Sequence, residues 1–294
     1  MNRIFVPVIL FAALALGGCI ETQLLVKIRT DGSGTIHETI RMKKDVGAMF
    51  QAMVMGMKEG LEEAGMEVEE SDAAASSDDA LSGSLLEMFN DEEIRAHAEK
   101  MGVGVRYVSH EMIDTDEHAG YQAVYAFDDI NAVSVSQDPG ANLPEFPGNE
   151  GEGDTQDDLV AFSFTPGSPA RLVIRPPQDD EDDAAQDEAE PESDMTAEEE
   201  SAEGMEQMKE FFRDMRLRVE IAVDGSIQKT NASFVDGSTV TLMDIDFNAL
   251  LDNPELFKQM QHADQMGPSA VMDMMKKIPG LKVETEKEIT VTFR

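Results

Sequence analysis

The groups in this chain that could do covalent or ligand chemistry are few in kind. Cys19 is the only thiol among 294 residues. It closes the run Leu16-Gly17-Gly18-Cys19, behind an apolar stretch from Ile4 to Leu16 and the positive start Met1-Asn2-Arg3. A lone cysteine excludes an internal disulfide framework and any paired-cysteine metal or redox motif. Two small residues precede it, and its thiol is the only strong nucleophile in this stretch. Methionine reaches 20 residues and clusters at Met49, Met53, Met55 and Met57. On a helix Met49, Met53 and Met57 share one face while Met55 points away. Thioethers are soft ligands that could hold Cu(I). The same spacing also serves an apolar core face, or a flexible groove for an acyl chain or peptide. Packing is the expectation, with Met49, Phe50, Met53 and Met57 as candidate groove residues and no metal.

The other chemistry-bearing types form no recognisable constellation. His37, His97, His110, His118 and His262 show no tight metal-ligand spacing. Asp31-Gly32-Ser33-Gly34-Thr35-Ile36 has the look of a calcium loop, but Arg29 and Ile40 would stand where acidic ligands are required. A hairpin turn explains the same residues. There is no nucleophile elbow, no phosphate-binding loop and no dinucleotide glycine pattern. No catalytic residue is assigned, no cofactor is expected, and the chain is read as a non-enzyme.

The N-terminal segment is an address. Its apolar stretch is too short to span a bilayer and suits a signal peptide. Leu16-Gly17-Gly18-Cys19 resembles the lipobox of bacterial lipoproteins. That resemblance implies a signal peptide over 1–18, cleavage before Cys19, and a diacylglyceryl group on its sulfur with acylation of the new amino group. Several acyl chains, at about 0.8 kcal/mol per buried CH₂, anchor stably where one would be marginal. Ile20 rather than Asp follows the cysteine, which in the enterobacterial pattern implies the outer membrane, with the chain facing the periplasm.

Charge narrows the partners. Asp and Glu number 60 against 23 Lys and Arg, a net charge of −37. Such an excess repels phosphate backbones, so nucleic acid is excluded as an ordinary partner. Residues 178–204 carry acids with no basic residue among them. A run of that kind cannot bury enough apolar surface to offset chain entropy and is read as a disordered insert. The expected organisation is one envelope domain built from 19–177 and 205–294, interrupted by that insert.

The elements that would position any site read as strands with a few helices. Thr22 to Arg29 and Thr35 to Met42 alternate around Asp31-Gly32, a hairpin. Lys43 to Ala64 takes helical spacing. Asn90 caps a helix over Asp91 to Met101. Val103 to Ile113 and Tyr121 to Phe127 are strand-like across His118-Ala119-Gly120. Leu159 to Phe164 and Arg171 to Arg175 form another hairpin. Met208 to Met215 suggests a short helix. Leu217 to Val223, Ile227 to Phe234 and Thr239 to Phe247 follow as strands, then short helices from Pro254 and over Ser269 to Ile278, and a last strand over Leu281 to Phe293. The expected fold class is α+β: an antiparallel sheet built from hairpins, with a few packed helices.

One echo runs through the chain. Leu24-x-Val26-x-Ile28-x-x-Asp31-Gly32-Ser33 matches Leu217-x-Val219-x-Ile221-x-x-Asp224-Gly225-Ser226 at a constant offset of 193 residues. Either β-hairpins converge on the same residues, or two equivalent units lie in one sheet. The stretch Val219 to Ala232, with Asp224-Gly225-Ser226-Ile227 and Asn231, leads to Asp236-Gly237-Ser238-Thr239-Val240-Thr241. With the lipobox and the first hairpin, it resembles the LppM-like bacterial lipoproteins, although Leu242 and Met243 stand where an aromatic is usual. That resemblance implies an antiparallel α+β domain on a lipid anchor that binds lipid or envelope components, with no catalytic residues to carry over. The resulting expectation is a lipid-anchored envelope protein held in the membrane through Cys19, with a non-catalytic lipid- or protein-binding role. The competing class is an envelope metal- or cation-binding protein using the Met-rich helix or the acidic run.

Overall fold

In a computed structural model, residues 20–45, 89–136, 159–177, 209, 212–253 and 278–294 are described. The alternation in the first hairpin becomes β1 (Ile20–Ile28) and β2 (Gly34–Lys43), antiparallel across the Asp31-Gly32 turn. Inside that turn the Asp31 carboxylate accepts from the Ser33 amide at 3.0 Å and its hydroxyl at 2.7 Å. These hydrogen bonds, the larger cause, and the Arg29 charge hold the Asp31 carboxyl below its usual range. Helix α1 (Asp91–Lys100) starts at Asn90, whose side chain accepts from the Glu93 amide, with three acids in its first turn. It is followed by β3 (Arg106–Asp114), β4 (His118–Phe127), a 3-10 turn over Ile130–Ala132, and β5 (Ser134–Ser136). Next come β6 (Leu159–Thr165) and β7 (Ala170–Arg175), then β8 (Arg216–Val223) and β9 (Ile227–Thr230). The chain closes with β10 (Val235–Asp236), β11 (Thr239–Asp246), α2 (Phe247–Leu251), β12 (Lys282–Val283) and β13 (Ile289–Phe293).

The strands form two sheets. The larger has the order β10-β11-β8-β1-β2-β4-β3, with β12 added to β11, and the smaller has the order β5-β6-β7-β13-β9. One face of each meets in a shared apolar core that includes Val26, Ile36, Ile221, Leu172, Val291 and Phe293. Even-numbered residues of β1 and β2 are buried and odd-numbered ones half-buried, so one face of the hairpin is in the core and the other is polar. Each fully buried Val or Ile side chain there contributes about 1.5–3 kcal/mol.

This architecture corrects the α+β expectation of an antiparallel sheet with several packed helices. The described residues are predominantly strand, with two α-helices. The larger sheet is mixed, because β1 and β8 run parallel. Consecutive turn signals suggest antiparallel neighbours, but the core is completed by a strand from far along the chain. The sequence echo is resolved in the same pairing. Leu24 faces Val219, Val26 faces Ile221 and Ile28 faces Val223, so the two units lie side by side, staggered by two residues.

Two further differences have the same cause. β9 does not turn back on β8: Gly225, at φ +115° with its would-be Cβ 2.3 Å from the Arg294 carbonyl oxygen, lets the chain cross to the smaller sheet. The expected final strand is two strands, with β12 on the larger sheet and β13 on the smaller. His118-Ala119-Gly120 begins β4 rather than connecting two strands. The acidic run 178–204, the helical reading of 46–64 and the segments from Pro254 to Lys277 lie outside the described residues.

Because β8 pairs with β1, and β13 with β7, residues 205–294 alone lack partners for two core strands. Expressed by itself, that piece is expected to give a poorly dispersed amide spectrum and no sharp thermal transition. A well-dispersed spectrum with cooperative melting would show that it folds independently.

Candidate functional site

Two groupings of polar side chains are built into the larger sheet, one on each face. The first lies on the core face under α1. β2 places Glu38 between Ile36 and Ile40, pointing inward, and its side chain is 1% exposed. β4 presents Tyr121 and Tyr125 on the same face, and α1 lays His97 over them. Glu38 Oε2 accepts from the Tyr121 hydroxyl at 2.9 Å and lies 3.0 Å from that of Tyr125 and 3.2 Å from His97 Nδ1. The Tyr125 hydroxyl is also 2.8 Å from the Ile94 carbonyl oxygen, so its one proton serves one acceptor at a time. Phe89 packs edge-on against Tyr121 with ring centres 5.6 Å apart.

Burial, and then the Glu38 charge, push both phenols well above the ordinary tyrosine range. They are therefore neutral hydrogen-bond donors and not nucleophiles. Beside them Arg95 stacks over the Tyr107 ring at 4.5 Å, and His110 joins the Tyr107 hydroxyl at 2.7 Å to Asp91 at 3.1 Å. Buried hydrogen bonds to Glu38 and these more exposed contacts together clamp α1 to the sheet.

The second grouping lies on the polar face. Asp244 of β11 takes a two-pronged pair from Arg216 of β8, at 2.9 and 3.0 Å, with Arg218 at 3.5 Å and Lys282 at 3.9 Å. Burial opposes its charge, but the Arg216 hydrogen bonds and the neighbouring cations outweigh burial and hold its carboxyl below the usual range. Arg41 pairs with Glu21, and Gln23 donates to Glu220 at 3.1 Å. These cross-strand pairs tie β11, β8, β1 and β2 together on the face opposite the core.

Cys19, the expected lipid site, and the groove residues Met49, Phe50, Met53 and Met57 lie outside the described residues. What is described is the end of the sheet where β1 begins and β2 ends. β1 begins at Ile20, directly after Cys19, and Ile20 pairs with Met42. Lys43 pairs with Asp214 at 3.5 Å, Asn248 donates to Asp214 at 3.0 Å, and Phe212 stacks on Phe247 with ring centres 5.3 Å apart. Among the described residues, no group of three or more His, Cys, Asp or Glu could hold a metal ion. No described helix is long and apolar enough to cross a membrane.

The Glu38 cluster is absent from the sequence-derived candidates, yet its signal is in the sequence. Period-two arithmetic puts Glu38 on the face of Ile36 and Ile40, and Tyr121 and Tyr125 on the face of Ala123 and Phe127.

No family model matches the chain, and no curated protein matches it. Among solved structures it is similar to the folded domain of the Mycobacterium tuberculosis LppM protein, determined by NMR, at 11% identity and a TM-score of 0.30, over 95% of this chain and 91% of that one. A likeness of that degree does not establish a common fold.

Removing one phenol from the cluster leaves the buried Glu38 with one donor fewer. Tyr121→Phe is expected to lower the unfolding free energy by about 1–3 kcal/mol, read from urea denaturation. The polar face supplies a pH dependence. Burial, and then the Lys27 charge, depress His37 to about 4. Its ordinary value is about 6.5, so the unfolded chain binds the proton more readily. The stability His37 contributes is complete above about pH 6.5 and is lost as pH falls through 4. His37→Gln should flatten the decline in melting temperature between pH 7 and pH 4. An unchanged slope would show that His37 is not titrating out of a buried site.

Proposed function

We propose that this chain is a lipid-anchored envelope protein with a non-catalytic binding role toward lipid or a protein partner, tethered through acylated Cys19. The observation that carries the reading is the position of β1. The strand that starts one residue after Cys19 is an interior strand of the larger sheet, hydrogen-bonded on both sides. An acyl anchor on Cys19 would therefore attach to the rigid framework without a linker, and hold the β1 start, Met42, Lys43 and the Phe212–Phe247 stack toward the bilayer. The lipobox resemblance supplies the modification, and Ile20 after the cysteine favours the outer membrane with the framework on the periplasmic side. The chemistry of the Glu38 cluster agrees with a non-catalytic role, since neutral phenols and a carboxylate sealed under α1 stabilise packing and present no reacting group to solvent.

The test is Cys19→Ser in the full chain. The parent should be processed and partition into the detergent phase of Triton X-114, and the variant should accumulate as precursor and lose that partitioning. Normal processing and partitioning of the variant would remove the lipid anchor and the reading built on it.

A further inference from the structure

The sequence echo ends each time in Asp-Gly-Ser, and the parallel pairing of β1 with β8 puts the ends of the two strands side by side. At the ends of these strands, the Asp224 amide donates to the Ile28 carbonyl at 2.8 Å. A cleft of about 340 Å³ opens there, lined by Lys27, Arg29, Thr35, Asp224 and Ser238 around the paired ends of β1 and β8. It lies at the opposite end of β1 from Cys19, a nine-residue strand away, about 30 Å at the usual rise per residue.

The chemistry of the lining is two-sided. Lys27 and Arg29 bring positive charge on the β1 side. The Arg29 guanidinium donates to Ser33 at 3.0 Å, which leaves it further N–H donors. Asp224 stands on the β8 side. Among the described residues its carboxylate takes no hydrogen bond or ion pair, and the Ser238 hydroxyl likewise has no partner there. A lining that carries one carboxylate and two cations suits a ligand that bears both charges.

We propose that this cleft binds a small zwitterion, whose carboxylate or phosphate is held by Arg29 and Lys27 and whose ammonium is held by Asp224. The volume is at the small end of ligand sites. The proposal does not depend on acylation of Cys19, since the cleft is formed by β1, β2 and β8 and by the residues that follow β8 and precede β11.

The experiment is isothermal titration calorimetry on the detergent-solubilised full chain, repeated with Cys19→Ser. The probes are β-alanine and phosphoethanolamine as zwitterions, with acetate, inorganic phosphate and ethanolamine as their halves. One zwitterion is expected to bind saturably at one site, about tenfold or more tighter than either half, and which one it is identifies the anion. Asp224→Asn should reduce its affinity to that of the anion half, and Arg29→Gln should reduce it about tenfold or more. Asp116→Asn, in the turn at the far end of the sheet, makes the same charge change as Asp224→Asn and should have no effect. Amide spectra check that each variant is folded, and Ser238→Ala, with a smaller expected loss, replaces any that is not. Absence of saturable binding by both zwitterions would overturn the proposal. So would affinities no better than those of the halves, or affinities unaltered by Asp224→Asn and Arg29→Gln.

Discussion

The parallel pairing of β1 with β8 is the constraint on which the rest of the structure depends. Glu21 to Ile28 lie beside Arg216 to Val223 without a break in register. β1 is local partner to β2 and distant partner to β8, so this contact joins the start of the framework to a strand nearly two hundred residues on. Closing so long a loop carries an entropic penalty that rises only slowly with length. The offset comes from burial: Leu24, Val26 and Ile28 on one strand and Val219, Ile221 and Val223 on the other all fall in the core. β11 attaches to β8 and β12 to β11, and β9 follows β8 into the smaller sheet, where β13 joins β9 to β7. Loss of the β1–β8 contact would strand all of these elements.

The two faces of the larger sheet solve different physical problems. On the core face, a carboxylate can be buried at Glu38 only because Tyr121, Tyr125 and His97 surround it, and those partners lie on two other elements. The polar cluster therefore fixes where α1 sits more sharply than apolar packing of Ile94 and Ala98 alone could. On the polar face, Asp244 gathers Arg216, Arg218 and Lys282, and fixes the order of strands β11 and β8 by charge as well as by backbone pairing. Most of the Lys and Arg, but fewer than half of the Asp and Glu, lie in the described residues. The large net charge belongs mainly to the other residues, and the described ones are close to balanced.

Local signals in the sequence translated well. The β1–β2 hairpin follows from strict alternation around Asp31-Gly32, the β6–β7 hairpin from the Pro166 to Pro169 turn, and the start of α1 from Asn90 with three acids behind it. Non-local choices were not legible. The alternation of Ile227 to Thr230 is the same whichever sheet receives it, and its crossing is decided by Gly225 against the Arg294 backbone. The echo between Leu24 and Leu217 carried the parallel pairing, but a strand pattern holds no sign of direction, and the hairpin turns around it all suggest antiparallel neighbours. Glu38 was legible in principle from its inward parity, but its partners were not, because His97 reaches it from a helix whose docking no local pattern specifies. The cleft beside Asp224 was illegible for the same reason, since it exists only once the ends of β1 and β8 are side by side.

Native-state hydrogen exchange tests the joining role of β1 and β8 most directly. If the pairing holds both sheets together, the amides of Val26 and Ile221 should open only with global unfolding, and their exchange free energies should agree with each other and with the denaturation value. If the amides of β8 instead exchange through a local opening at markedly lower free energy than those of β1, the two strands do not act as one unit, and their pairing is not what holds the two sheets together.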